Sequence, residues 1–125
     1  MDKEKRLLYT KDHEWIDLVN GEAKIGITNF AQSQLGDIIF IEFPNLGSKF
    51  SVGDVFGEIE AVKTVSELYM PISGVIKQVN IDLEDSPDFV NSDPYGDGWI
   101  IKIEPANIEE KINLMDFEQY HKLLE

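Results

Sequence analysis

The sequence predicts a mainly β fold, a small sandwich or barrel that carries a few short helices. Many short runs rich in β-branched and aromatic residues alternate with turn residues along the chain. The dipeptide Asn20-Gly21 lies between two such runs and is strongly favoured in tight β-hairpins. Near the C-terminus, Asp116 is followed three residues later by Gln119, the spacing of a helix capping box. We therefore expect β-sheets in the middle of the chain and a helix at its end.

Strands are expected wherever an apolar, β-branched run is bounded by a residue that interrupts a sheet. Pro44 ends one run and Pro71 ends another, because proline cannot donate to a sheet ladder. Ser73-Gly74 opens a further strand, and residues 45–51 are rich in turn-forming types. The strands predicted in this way cover residues 15–19, 23–27, 38–43, 52–62, 65–70, 75–80 and 99–103.

Helix signals also occur between the predicted strands. Thr28 or Asn29 is a suitable N-cap for a short helix, and Gly36 is a suitable stop. Residues 82–98 are acidic and contain several prolines and glycines. For this stretch we expect a loop with one helical turn after Pro87, since proline favours the first position of a helix.

Length and hydropathy predict one globular domain over residues 1–125. No apolar run approaches the roughly 20 residues that a membrane-spanning helix needs. Residues 1–6 are mixed acids and bases without the apolar segment of a secretory signal. The expected location is therefore the cytoplasm, or the mitochondrial matrix if a transit peptide has been removed.

The net negative charge of the chain limits the classes of molecule that it can bind. Eleven basic residues against twenty-four acidic ones give a formal net charge of −13, which repels nucleic acids and anionic membranes. We expect neither partner, and expect instead a monomer that docks on basic surfaces of larger proteins. Cysteine is absent, which excludes disulfides and thiolate metal sites. His13 and His121 are the only histidines and lie far apart in sequence, so no metal site is expected.

One lysine at a predicted turn is the most informative single residue. Lys63 lies between Val62 and Thr64, where two predicted strands meet without the glycine, proline, asparagine or aspartate that turns usually contain. β-Branched neighbours make this turn stiff. No other basic residue occurs between Lys49 and Lys77. A modifying enzyme would thus meet a single amine here, although spacing alone equally allows an unmodified, solubilising lysine.

Residues around this lysine belong to a longer ordered pattern. The central string is Glu60-Ala61-Val62-Lys63-Thr64-Val65-Ser66. The flanking blocks, spread from Tyr9 to Leu124, are His13-Glu14-Trp15, Ile25-Gly26-Ile27-Thr28, Ala31-Gln32, Leu35-Gly36-Asp37-Ile38, Gly53-Asp54-Val55-Phe56-Gly57, Pro71-Ile72-Ser73-Gly74, Leu83-Glu84-Asp85-Ser86-Pro87, Val90-Asn91 and Pro94-Tyr95-Gly96-Asp97-Gly98-Trp99. In this order and spacing they resemble the glycine cleavage H-protein family, in which the lysine of the central string carries lipoate.

The resemblance implies a fold and a function. The fold is a barrel-sandwich hybrid, two small antiparallel sheets with the lysine at a hairpin tip and short helices that include a C-terminal one. By this resemblance we expect lipoate to be covalently attached to Lys63, and the protein to be a non-catalytic carrier. It shuttles the aminomethyl group of glycine from glycine decarboxylase to an aminomethyltransferase, and electrons to dihydrolipoamide dehydrogenase. A lipoate-attaching enzyme is the fourth implied partner.

The resemblance also implies roles for two acids, and two more acids lie near them or near Lys63 in sequence. Glu14 and Glu67 stand at the positions of the family that shelter the amine of the loaded arm in a surface cleft, and Asp12 is close to Glu14 in sequence. A carboxylate is the natural partner of such a cation. Glu60, three residues before Lys63, is expected to help the lipoate-attaching enzyme recognise the hairpin. For Glu14 and Glu67, an ordinary surface acid is the alternative interpretation.

Two other functions share much of this pattern. A biotinyl carrier has the same kind of hairpin, but its lysine is usually flanked by methionines, whereas Val62 and Thr64 flank Lys63 here. A lipoyl-relay protein, which donates lipoate to other complexes, would have the same modified lysine, and the sequence does not separate it from a glycine cleavage carrier. An unmodified binding module is the third class that remains open.

Overall fold

The computed structural model describes residues 3–125 and contains two antiparallel β-sheets. The larger sheet has six strands in the order β1-β2-β3-β9-β8-β5, and the smaller has three in the order β4-β6-β7. The strands are β1 (Leu8–Tyr9), β2 (Glu14–Val19), β3 (Glu22–Ile27), β4 (Ile38–Glu42), β5 (Lys49–Phe50), β6 (Val55–Ala61), β7 (Val65–Tyr69), β8 (Gly74–Val79) and β9 (Ile101–Pro105). The predicted fold class is confirmed.

The hairpin between β2 and β3 forms where the sequence predicts it. Asn20 and Gly21 both have positive φ, 53° and 80°, the backbone that a two-residue hairpin turn requires. Val19 pairs with Glu22 directly across this turn. Because asparagine and glycine adopt positive φ at little cost, this turn needs no help from distant residues.

The main core lies between the sheets. Ile16, Ile25 and Ile103 of the large sheet belong to the same buried cluster as Ile41 and Ile59 of the small sheet. Each of these side chains is less than 5% exposed. Successive side chains of a strand point to opposite faces of the sheet, and these residues lie on the face that is directed into the core. A second cluster packs on the other face of β2, under the two termini, and consists of Leu7, Tyr9, Trp15 and Tyr120.

Within residues 3–125, four α-helices and two 3-10 helices flank the sheets. They are a 3-10 helix at Lys3–Arg6, α1 (Asn29–Leu35), α2 (Asp82–Asp85), α3 (Phe89–Ser92), a 3-10 helix at Ile108–Asn113 and α4 (Phe117–Leu124). Thr28 caps α1 with its hydroxyl, and Asp116 forms the predicted capping box with Gln119 at the start of α4. Among residues 3–125 no helix is long and apolar enough to cross a membrane.

Several predicted boundaries are wrong, and long-range contacts explain why. Residues 82–98 contain two helical turns rather than one: α3 is the turn predicted after Pro87, and α2 was missed. Leu83 and Val90 hold these turns in place because each buries its side chain in the main core. The strand predicted from residue 52 begins at Val55, since Gly53 has a φ of 89° and forms a turn. The two-residue strands β1 and β5 were also missed.

Candidate functional site

Lys63 lies at the tip of the hairpin that joins β6 to β7. Glu60 and Val65 are the last paired residues, and the Ala61 N–H closes the turn on the carbonyl of Thr64 at 2.8 Å. Residues 62–64 are exposed, and Val62 is 67% exposed. The Lys63 amine takes part in no ion pair or hydrogen bond among the described residues.

A second segment supports this tip from the side. The Val62 N–H donates to the carbonyl of Asp37 at 3.1 Å, in the loop between α1 and β4. This contact fixes the backbone immediately before the lysine, so the tip is stiffer than a hairpin held only by its own two strands.

Two adjacent clefts run along α1. The tip cleft, of about 350 Å³, is lined by Ser33, Gln34, Leu35, Asp37, Val62 and Lys63. The acid cleft, of about 330 Å³, has Asp12, Glu14 and Glu67 among its lining residues, together with apolar side chains. Gln34 and Leu35 line both clefts, so the tip cleft and the acid cleft adjoin at the C-terminal half of α1.

Glu14 is a buried carboxyl at the acid cleft. It is 2% exposed, and its Oε2 accepts a hydrogen bond from the backbone N–H of Tyr69 at 2.7 Å. Thr10 donates its hydroxyl to Oε1 at 3.3 Å. Burial raises the pKa of Glu14 to about 8; the nearby Asp12 charge also raises it, while the hydrogen bonds from Tyr69 and Thr10 lower it.

The contact between Glu14 and Tyr69 also has a structural consequence. β7 is an edge strand of the small sheet, and Glu14 satisfies one of its outward N–H groups from β2 of the large sheet. Glu14 therefore ties the two sheets together beside the cleft, and is not the ordinary surface acid that was the alternative interpretation of the sequence.

Glu67 and Asp12 are exposed acids at the same cleft. Glu67 accepts a hydrogen bond from the Tyr69 hydroxyl at 3.0 Å, and this contact raises the pKa of Tyr69. Asp12 lines the cleft beside Glu14. The structure thus brings together the three acids that the sequence analysis grouped, although they lie in two distant segments of the chain.

Glu60 lies apart from the acid cleft. It stands on β6 opposite Phe40 of β4 and Val65 of β7, next to the lysine turn. Phe40 and Val65 are 53% and 55% exposed, so an acid lies between two exposed apolar side chains beside the tip. Any protein that reaches Lys63 from this side meets this surface.

Sequence reasoning missed a hydrogen-bond network behind the cleft wall. His13 adopts a φ of 68°, which is rare for a non-glycine residue, and its ring Nδ1 lies 2.8 Å from the Tyr120 hydroxyl. That hydroxyl is also 2.7 Å from the Thr28 hydroxyl, the cap of α1. Burial lowers the pKa of His13. No local signal could have revealed this network, because Tyr120 is 107 residues from His13.

Comparisons with known proteins agree on one family. Residues 7–125 match the family model described as Glycine cleavage H-protein. The chain is 55% identical over 120 residues to the glycine cleavage system H protein of Salinibacter ruber, covering 96% of this chain and 97% of that protein. It is 51% identical over 123 residues to the protein of the same name from Bacillus velezensis, covering 98% and 97%. A crystal structure of the Mycobacterium marinum H protein superposes with a TM-score of 0.87 at 38% identity, covering 94% and 95%.

Proposed function

This chain belongs to the glycine cleavage H-protein family, and from that premise we propose that Lys63 is the residue to which its lipoyl group is attached. Members of this family are non-catalytic lipoyl carriers of the glycine cleavage system. Residues 1–125 then form one carrier domain that moves the aminomethyl group of glycine, and electrons, between enzymes.

The position of Lys63 beside the two adjacent clefts is the observation that carries this proposal. The tip cleft begins at the Lys63 side chain and meets the acid cleft at Gln34 and Leu35. Phe30 and Leu68 give the acid cleft apolar walls, while carboxyls line the same cleft. This chemistry fits a hydrocarbon arm whose end carries a polar cargo. When bound, lipoate supplies a reversible disulfide at the end of a long arm.

Glu14 is suited to receive a cationic amine at the end of the arm. With a pKa of about 8, its carboxyl is mostly protonated and neutral near pH 7. An amine cation brought beside it favours the carboxylate, lowers that pKa and makes a charge-assisted hydrogen bond. Glu67 and Asp12 are exposed and supply additional negative charge around the cleft. The protein's part is therefore to shelter the cargo, while its partners perform the chemistry.

The proposed partners are glycine decarboxylase, the aminomethyltransferase, dihydrolipoamide dehydrogenase and the lipoate-attaching enzyme. A carrier that visits several enzymes must dissociate quickly from each of them. The net charge of −13 favours fast, salt-sensitive association with basic docking surfaces. Glu60, beside the tip, is proposed to contribute to recognition by the lipoate-attaching enzyme. The relatives named above are bacterial, and we propose the cytoplasm as the location.

Intact-mass measurement after incubation with a lipoate ligase, ATP and lipoate tests the proposal. We expect an added mass of about 188 Da, the increment of one lipoyl amide. Lys63→Arg should abolish it. Lys49→Arg and Lys77→Arg, the nearest basic neighbours in sequence, are matched controls that should retain it.

Other adducts would contradict the proposal in different ways. No adduct on the parent protein, or an adduct that persists in Lys63→Arg, would exclude Lys63 as the lipoyl site. A biotin-sized adduct after incubation with a biotin ligase, with none from the lipoate ligase, would instead identify a biotinyl carrier.

A further inference from the structure

Helix α1 forms a wall of both clefts, yet the core holds it only weakly. None of its seven residues is buried, and only Ala31 and Leu35 pack partly against the main core. Burial of apolar surface usually fixes the place of a short helix, since seven residues alone are marginal in water. Phe30 also packs on the His13 ring, with the ring centroids 4.8 Å apart. The rest of the support for α1, and for the shape of both clefts, comes from polar contacts at its ends.

Asn91 supplies such contacts at the C-terminal end of α1. Its side-chain amide makes three hydrogen bonds: Oδ1 accepts from Ile38 N at 2.9 Å, and Nδ2 donates to Gln32 Oε1 at 2.9 Å and to Gly36 O at 2.8 Å. One side chain thus joins the last turn of α1 to the first residue of β4. Asn91 itself lies on α3, beside Val90, whose side chain is fully buried in the core.

The loop that Asn91 holds is also the loop that supports the lysine turn. Gly36 and Ile38, both bonded by Asn91, flank Asp37, whose carbonyl accepts the N–H of Val62. Hydrogen bonds and short stretches of backbone therefore link the core, through α3 and the 36–38 loop, to the residue before Lys63.

We propose that Asn91 is a positioning residue, which holds α1 and the 36–38 loop in register and thereby orders the lysine turn against the tip cleft. That this order matters for lipoylation rests on the proposed function of Lys63, whereas the ordering of the turn by Asn91 does not. Asn91 contacts neither Lys63 nor the acid cleft. Its effect passes through the backbone of Asp37 and Val62.

The opposite end of α1 has a contact of the same kind. The backbone N–H of Asn29 donates to the Tyr95 hydroxyl at 3.0 Å. Asn91 and Tyr95 belong to one short segment after α2, so this segment forms hydrogen bonds with both ends of α1. Tyr95→Phe should loosen the N-terminal end alone and leave the Val62 amide protected, which separates the two contacts.

Amide hydrogen exchange at Val62 in the unmodified protein is the first measurement. In Asn91→Ala we expect Val62 exchange to be faster by about tenfold or more, because the three hydrogen bonds that hold α1 and the 36–38 loop are removed. Asn91→Asp is the isosteric variant. It retains the acceptor for Ile38 N but sets a carboxylate oxygen against the acceptor oxygens of Gln32 and Gly36, and should accelerate exchange in the same direction.

Asn80→Ala is the matched control. The Asn80 amide also ties backbone carbonyls together, those of Asp97 and Trp99 at 2.8 and 2.7 Å, and Asn80 is 4% exposed. Its removal should destabilise the fold at least as much as Asn91→Ala does. It should not accelerate exchange at Val62 under conditions in which global unfolding contributes little.

Acylation kinetics provide the second measurement. A ligase that meets a disordered turn must order it on binding, so Asn91→Ala should raise KM for the protein substrate about tenfold while kcat changes little. Asn80→Ala should leave both constants near the parent values. Equal Val62 exchange in Asn91→Ala and Asn80→Ala would overturn the proposal, as would faster exchange with unchanged KM. Failure of the parent to be acylated would instead refute the proposed function, and the exchange comparison would still decide whether Asn91 orders the turn.

Discussion

The burial of Glu14 predicts a specific dependence of stability on pH. In the folded protein the pKa of Glu14 is about 8, whereas its ordinary value is 4.5. The folded state therefore binds a proton more tightly than the unfolded state. Stability from this group is complete below pH 4.5 and is lost as pH rises towards 8. Glu14→Gln removes the titration and keeps an acceptor for the Tyr69 N–H.

The expected magnitude follows from the two pKa values. One pKa unit corresponds to about 1.4 kcal/mol, so the interval from 4.5 to about 8 corresponds to a loss of about 5 kcal/mol in the free energy of unfolding. At pH 7 the loss is about 3 kcal/mol by the same arithmetic. Glu14 is 2% exposed, so solvent screening reduces these figures little. Glu14→Gln should thus equal the parent near pH 4.5 and exceed its stability increasingly at higher pH.

Urea unfolding of both proteins at several pH values between 4.5 and 8.5 measures this difference. All other titrating groups are common to the two chains, so subtracting the curves isolates Glu14. Glu67→Gln removes an exposed carboxyl at the same cleft and is the matched control for the loss of one negative charge there. A pH-independent difference between Glu14→Gln and the parent would refute the assignment of a raised pKa to Glu14.

Two further predictions concern packing around the termini and can be checked by thermal and urea unfolding. In Gly26→Ala the new Cβ would lie 2.6 Å from the ring of the fully buried Trp15, so the free energy of unfolding should fall by about 3 kcal/mol; a variant of parental stability would mean that the ring can move. Tyr120→Phe removes the hydroxyl that lies 2.8 Å from His13 Nδ1 and 2.7 Å from the buried Thr28 hydroxyl, and should cost about 2 kcal/mol. A loss below about 0.5 kcal/mol would show that these groups find other partners.

Much of the fold could be predicted from the sequence because its signals are local. Asn20 and Gly21 form a hairpin turn through their own tolerance of positive φ. Thr28 and Asp116 cap their helices through hydrogen bonds to backbone groups three residues away. Such contacts join residues that are close in sequence and require the same residue types in any fold. These turns and caps can therefore be predicted without the tertiary structure.

The errors lie where burial over long distances overrides local preference. The helical turn α2 forms in a stretch rich in loop residues because Leu83 is held in the core by distant strands. β5 forms in a turn-rich segment because Lys49 and Phe50 pair with β8, more than twenty residues further along the chain. Two residues are too few to show the alternation by which a strand is recognised.

By itself the sequence determined the class of fold, the hairpin and the isolated lysine at its tip, since each depends on neighbouring residues alone. Only the tertiary structure decided what surrounds that lysine. It buried Glu14 and placed it between two sheets, which changed an acid of ordinary appearance into one with a pKa of about 8. It also brought Asn91 to the loop that supports Val62. Burial and hydrogen bonding between distant segments exist only when the sheets have packed, and for that reason no local pattern contains them.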